Sequence, residues 1–322
     1  MANILACEIN YAKSLSKKIL KDGITIPYFA LEQEIKQKQD DIYKAIKNVV
    51  SKVLPKNRKK TALLVGTSLV DWYLVDAINA CAYDTKETYS SKKRSVDSYA
   101  KDLSDELELS GYTQTINTAC TSSANALLEA KNLINAEIVE YVIVVGLEVY
   151  SPVMSSGFYS MDLLSPTKPK PFAKDRDGLV LGEGVGAMLL GKDSSDWELV
   201  GGFSNCNSET ITSVSSSGKE CVEVMKNALK NCAQLEEDIT AIKAHATGSW
   251  TNDEAEMNAI KKVFKKEPTI ITLKQHIGHT IGASGVLEIA YLLQKIEQNG
   301  TIMCNYFGFG GNNISLILRK NI

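Results

Sequence analysis

Three side chains capable of covalent and acid–base work stand in small-residue surroundings along this chain of 322 residues. Cys120 lies in Thr118-Ala119-Cys120-Thr121-Ser122-Ser123, His245 opens His245-Ala246-Thr247-Gly248, and His279 lies in Gly278-His279-Thr280-Ile281-Gly282-Ala283-Ser284-Gly285. A thiol where an extended run gives way to a helix meets unpaired backbone N–H groups and the positive end of the helix dipole. Both favour thiolate, so a lowered pKa is expected for Cys120. Its small neighbours let a substrate approach the sulfur. Two neutral imidazoles could donate N–H groups to a carbonyl oxygen as it becomes an enolate, while the thiol holds the electrophile as a thioester. A structural buried cysteine and satisfied core histidines are the competing readings. Of the three histidines, His276 is assigned no role.

Asn305-Tyr306-Phe307-Gly308-Phe309-Gly310-Gly311-Asn312-Asn313 adds a further candidate, because glycines around Phe309 let the backbone turn an N–H toward a ligand. A tight turn before a last strand explains the same residues. Gly182-Glu183-Gly184-Val185-Gly186 resembles a nucleotide loop but leads into a strand pattern, which argues against a dinucleotide site.

The elements that must position these residues alternate. Periodicity predicts helices at 35–54, 71–83, 96–109 and 122–135, and strands at 62–66, 113–117 and 141–145. A Pro-punctuated loop is expected over 151–175. Strands follow at 185–190, 199–205, 242–246, 269–273 and 314–318, with helices at 219–234, 253–263 and 280–297. Such alternation implies an α/β fold with helices on both faces of mostly parallel sheets. Strand 113–117, the Cys120 turn and helix 122–135 echo strand 269–273, the His279 turn and helix 280–297, which suggests two similar halves divided as 1–195 and 196–322.

A hydrophobic fraction of 44% can build a large core, and 36 Lys and Arg against 38 Asp and Glu give no global attraction to nucleic acid or to an anionic membrane. The seven cysteines form no C-x-x-C pair, so zinc is not expected. No membrane span or targeting segment stands out, and a soluble, reducing, cytoplasmic setting is the expectation.

At these residues the chain resembles the β-ketoacyl-acyl carrier protein synthases, the decarboxylating condensing enzymes of the thiolase superfamily. The resemblance rests on Thr118 to Ser122, on Lys170-Pro171-Phe172-Ala173-Lys174-Asp175-Arg176-Asp177-Gly178 running to Gly184, on His245 to Ser249, on Lys274 to His279, and on Phe307 to Gly311. It implies a thiolase-like α-β-α-β-α layered sandwich built from two similar halves, usually a homodimer. By the same resemblance Cys120 takes an acyl group from a carrier phosphopantetheine, and the backbone N–H groups of Cys120 and Phe309 form the oxyanion hole. His245 and His279 stabilise the enolate left when malonyl-carrier loses its carboxylate. Lys274 orders the site with Glu288 as its partner, Thr247 and Ser249 bind the pantetheine arm beside Gly310, and Phe309 gates the pocket. Asp253, Glu183 and Asp177 are expected to support structure. No prosthetic group is implied on this chain, since phosphopantetheine belongs to the carrier.

The chain departs from that pattern at Ala246 (usually Gly), Ser249 (usually Thr), Trp250 (usually Pro) and Asn312 (usually Thr), while Asn313 is retained. A narrower or reshaped malonyl tunnel is therefore expected, and the altered tunnel with short ends favours a specialised polyene or polyketide route. A non-catalytic chain-length-factor-like subunit of a ketosynthase heterodimer is the alternative, although such partners generally lose the nucleophile. A thiolase would need a second cysteine, and Cys304 does not stand where that motif puts it. An initiating synthase typically has Asn where His279 stands. Acyl carrier protein is acidic, so the basic runs Lys56 to Lys60 and Lys92-Lys93-Arg94 are candidate docking sites.

Overall fold

Apolar runs with no polar face must be covered on both sides, and that requirement organises this molecule. The structure is a computed structural model and describes residues 1–20, 22–35, 39–69, 97–206, 217–297 and 299–321. In chain order these form β1 (Asn3–Tyr11), β2 (Ser16–Ile19), β3 (Thr25–Tyr28), α1 (Gln39–Ser51), β4 (Thr61–Thr67), α2 (Asp97–Glu106) and β5 (Thr113–Ile116). Next come α3 (Ser122–Asn135), β6 (Tyr141–Glu148), α4 (Pro152–Ser160), β7 (Gly184–Gly191) and β8 (Trp197–Cys206). The remainder is α5 (Lys219–Asn231), β9 (Ile239–Lys243), α6 (Trp250–Val263), β10 (Thr269–Ile271), α7 (Lys274–Ile277), α8 (Ser284–Lys295), β11 (Thr301–Phe307) and β12 (Asn312–Lys320).

One ten-stranded sheet runs β10-β9-β11-β12-β8-β1-β7-β6-β4-β5. Its two halves meet through β1, which pairs β7 along most of its length but β8 only at Asn3 and Ile4. Each half repeats one pattern, with two parallel ladders at the outer edge and two antiparallel ladders toward the centre. The expected mostly parallel sheets are thus corrected to mixed ones. For β11–β12 the antiparallel ladder follows from the short turn that joins them, whereas β6 and β7 are joined by a long connection that contains α4 and still brings back an antiparallel neighbour.

Helices α3 and α8 lie between the halves, where Leu127, Ala130, Ile289 and Ala290 share one core with Leu64 and Val144 on one side and Ile302 and Leu316 on the other. Ile42, Ile46 and Leu103 of α1 and α2 cover the outer face of the first half. Met225 and Ile260 of α5 and α6 cover that of the second. The result is the α-β-α-β-α layering of a thiolase-like fold. The two central helices touch so closely that a Cβ on Gly285 would lie 2.2 Å from the backbone nitrogen of Ala124.

The echo between halves is local as well. A 3₁₀ turn precedes each central helix, Ala119–Thr121 before α3 and Ile281–Ala283 before α8, and each opens on a non-glycine residue with positive φ, 53° at Ala119 and 38° at Ile281. These turns carry Cys120 and follow His279.

Several elements differ from the sequence reading. The 151–175 loop contains α4, because Pro152 takes the first helical position and Ser151 caps it by accepting from the Met154 N–H at 3.2 Å. Strands β1, β2, β3 and β11 are additional, and β11 runs into Asn305 to Phe307, which the sequence reading placed in a turn. The helix expected at 35–54 is described as 39–51, that at 280–297 begins at Ser284, and the expected strand 269–273 stops at Ile271, with α7 starting at Lys274. The expected helix 71–83 and the basic run Lys92 to Arg94 lie outside the described residues.

Candidate active site

Strand β5 ends just before Cys120, the 3₁₀ turn lifts the thiol to the start of α3, and the sulfur faces His279 Nε2 at 3.2 Å. The backbone N–H groups of Phe309 and of Cys120 itself are also directed at Sγ. His279 is held by its backbone, whose N–H donates to Val180 O at 2.7 Å and whose carbonyl accepts from Gly182 N at 3.0 Å. Its Nδ1 lies 3.4 Å from Ser284 Oγ. His245, two residues beyond β9, sets its ring perpendicular to that of His279, with centroids 5.4 Å apart. Its Nε2 is buried and has no hydrogen-bond partner among the described residues. A thiol, two imidazoles and two converging N–H groups therefore share one buried point, although Cys120 and His279 are 159 residues apart.

Behind the histidines lies a charged network. Glu288, on α8 and fully buried, accepts from Lys274 Nζ at 2.6 Å through one oxygen and from Lys243 Nζ at 2.5 Å through the other. Lys274 also donates to His245 O at 2.7 Å and lies 3.5 Å from His245 Nδ1. Glu256 of α6 takes the backbone N–H groups of His245 and Ala246 at 2.8 and 2.9 Å. Glu148, at the end of β6, takes Ser68 N, Ser68 Oγ and Gly282 N at 3.2, 2.7 and 3.0 Å, which ties the His279 turn to the end of β4.

Burial dominates the protonation states here. It pushes His245 and His279 well below the ordinary histidine value, and the nearby Lys274 and Lys243 charges add to that effect. It pushes Glu148 and Glu256 up to about 7 against their backbone hydrogen bonds. Glu288 is instead lowered: desolvation opposes its charge, but the two ammoniums outweigh it. For Cys120 the expected lowering is overturned. Desolvation raises it to about 11, and the N–H groups of Phe309 and Cys120 and the Lys274 charge offset only part of that. The thiol and imidazole are therefore both uncharged at rest.

The remaining sequence candidates fall around this point. Phe309 is half-buried over it and stacks on Phe158 of α4, with centroids 5.3 Å apart. Gly310 follows in the left-handed region at φ 76°. Thr247 and Ser249 are buried on the loop into α6, where Thr247 Oγ1 accepts from Ser249 N at 3.2 Å. Asp253 holds Phe172 N and Gly248 N, Glu183 holds Leu31 N and Tyr150 N, and Asp177 pairs with Lys170. Ala246 sits at φ 46°, where glycine would be unstrained. Trp250 turns its indole outward, 56% exposed, with the Arg176 guanidinium 3.9 Å from the ring centre, so its bulk is added at the surface. Asn313 donates to Gly311 O at 3.0 Å and Asn312 to Phe309 O at 3.4 Å, both bracing the Phe309 turn.

Lys243, Glu256, Glu148, Ser284 and Phe158 were missed in the sequence. Only Lys243 left a signal there, as a lone cation inside the apolar run Ile239 to Ala244. Cys304 lies mid-strand in β11 with its thiol pushed up to about 12 by burial, which makes it a poor nucleophile. The basic run Lys56 to Lys60 precedes β4, whereas Cys120 follows the far end of the parallel strand β5, a separation of roughly 20 Å along the strands. No helix among the described residues is long and apolar enough to cross a membrane.

The family model described as "Beta-ketoacyl synthase, N-terminal domain" matches residues 42–196, and "Beta-ketoacyl synthase, C-terminal domain" matches 198–304. A 3-oxoacyl-[acyl-carrier-protein] synthase 1 of Buchnera aphidicola is 24% identical over 97% of this chain and 86% of its own length. The chloroplastic 3-oxoacyl-[acyl-carrier-protein] synthase I of Arabidopsis thaliana is 32% identical, over 61% of this chain and 45% of its own length. Among solved structures, a chain from the complex of a Xenorhabdus doucetiae ketosynthase with its chain length factor superposes with a TM-score of 0.83 at 22% identity, covering 99% of this chain and 98% of that one.

Proposed function

The chain belongs to the β-ketoacyl synthase family, and from that premise we propose that it is a 3-oxoacyl-acyl carrier protein synthase that condenses a Cys120-bound acyl group with malonyl-carrier. The observation that carries this reading is the convergence on one buried point of Cys120 Sγ, His279 Nε2 at 3.2 Å and His245 Nε2, which has no partner among the described residues.

In the first half-reaction Cys120 sulfur attacks the acyl thioester carbonyl, giving up its proton to His279 as the carbon–sulfur bond forms. The N–H groups of Cys120 and Phe309 hold the oxyanion, and the carrier thiol departs with the proton. In the second, His245 and His279 donate N–H groups to the malonyl thioester oxygen. Carbon dioxide leaves, the electron pair stays as an enolate, and its carbon attacks the acyl-Cys120 carbonyl, expelling the thiolate. Lys274 holds His245 in place with Glu288 as its counter-charge. Phe309, stacked on Phe158, gates the acyl pocket, while Thr247, Ser249 and Gly310 line the path of the pantetheine arm. The reaction needs no prosthetic group on this chain, because the carrier brings the phosphopantetheine.

The acyl carrier protein enters at the Thr247–Trp250 and Phe309 mouth rather than at the Lys56–Lys60 run. Edge strand β5 has no partner on its outer side among the described residues and is the place for a second thiolase-fold chain, an identical copy or a ketosynthase-like partner. The cytoplasm is the setting.

Intact-protein mass spectrometry with acyl-carriers of several chain lengths tests the proposal. An acyl adduct on Cys120 that is discharged by malonyl-carrier, and is absent from Cys120→Ala, is the expected result. No adduct with any carrier would shift the assignment to a chain-length-factor-like subunit.

A further inference from the structure

Lys243 is the last residue of β9 and is fully buried. A lone ammonium in such a place is strongly unfavourable unless acceptors surround it. Here Glu288 Oε2 accepts from it at 2.5 Å and Asn305 O at 2.9 Å, and the face of the Tyr306 ring lies 3.5 Å away. All three neighbours suit a cation. The oxygen that Lys243 occupies is the one Lys274 leaves open, since Lys274 takes only Glu288 Oε1.

We propose that Lys243 is a second positioning lysine of this site: by occupying Glu288 Oε2 it leaves Lys274 turned to His245 and gives the buried Lys–Glu–Lys triad a net positive charge beside the two imidazoles. With Lys274 alone, Glu288 would cancel the charge, and its free oxygen would compete with His245 O for the Lys274 protons. With both lysines, the positive charge opposes protonation of His245 and His279. An imidazolium would bind the malonyl carboxylate as well as the enolate and so hold the ground state; a neutral N–H favours the enolate.

Other ionisable groups also face this charge. Glu256 of α6 and the Cys304 thiol and Tyr306 hydroxyl of β11 lie on the Lys243 side, with Asp253 beyond Glu256. Cys120 lies on the His279 side, within reach of Lys274. Glu256 titrates at about 7, so it is half charged at neutrality and mostly neutral a unit lower, in the range where the two lowered histidines titrate and where it does not cancel the triad.

The proposal rests on the enolate-stabilising role given to the histidines, but its first test needs no substrate. The chain has three histidines, which isotope-labelled imidazole NMR resolves individually, and exposed His276 serves as the internal control. In Lys243→Met the titrations of His245 and His279 should move upward by roughly half a unit or more, with His276 unmoved. Adding Glu288→Gln restores a net single positive charge and should move them back. Lys243→Gln is read the same way should the Met variant fail to fold. A folded variant whose two buried histidines titrate as in the wild type, or a double variant no different from the single, would overturn the proposal. Decarboxylation of malonyl-carrier is then followed against pH. Its acidic limb should rise with the histidine titration, and kcat should fall about tenfold at unchanged KM. A wild type that titrates as expected yet never decarboxylates would count against the proposed reaction and leave the Lys243 assignment standing.

Discussion

A thiol 3.2 Å from an imidazole can rest as an ion pair or as two neutral groups, and burial selects the second here. Charging both would take two ions out of water, whereas the neutral pair needs no compensation. Thiolate then forms during attack rather than before it. Iodoacetamide labelling of Cys120, read by peptide mass spectrometry, should therefore speed up about tenfold per unit between pH 7 and 9, because each unit raises the thiolate fraction tenfold. A flat rate from pH 6 upward would reveal a resting ion pair. At Glu288 the expectation concerns stability. Glu288→Gln leaves two buried ammoniums without their counter-charge and should lower unfolding free energy by about 3–5 kcal/mol, measured by urea titration.

The geometry of the Cys120 and His279 turns depends on how α3 and α8 meet. Gly285 has no room for a side chain because its Cβ would press on the Ala124 backbone, which cannot rotate away as a side chain could. Gly285→Ala should lower stability by about 3 kcal/mol and slow acylation, since moving these helices apart separates Cys120 from His279. Ala246 presents the opposite case. At φ 46° it carries the strain of the left-handed region, so Ala246→Gly should leave the thermal midpoint unchanged or raise stability by up to about 1 kcal/mol. A clear loss would mean that the Cβ packs favourably enough to offset the strain.

Over the whole molecule, the buried carboxylates set the response to pH. Glu148 and Glu256 titrate at about 7 when folded, above the ordinary carboxylate value. Between that value and 7 the folded state binds more protons than the unfolded one, so stability falls as pH rises through this window. His245 and His279 are lowered and act in the opposite sense, but only below the unfolded histidine value of roughly 6.5. Above it their opposition fades within about a unit, and the two carboxylates dominate. Between pH 6.5 and 7.5 unfolding free energy should drop by about 1 kcal/mol, and Glu256→Gln should remove about half of the drop. Urea titrations at several pH values measure it, and a rise across that interval would contradict the assignment.

What could be read from the chain alone was local. Helix α3 from Ser122 to Asn135 follows from its small-residue start and periodicity, and Cys120, His245 and His279 follow from residue type and neighbours. Pro152 misled because the same residue ends a helix from inside and begins one from its first position. The direction of the sheet ladders was not legible either, since a buried strand has the same apolar pattern whether its neighbour is parallel or antiparallel. Only the fold brought Cys120 to His279 and set Lys243 and Lys274 on the two oxygens of Glu288, residues that come from β9, α7 and α8. It also reversed the expected shift of Cys120, because a helix start is written in neighbouring residues, whereas desolvation depends on every segment packed around the sulfur.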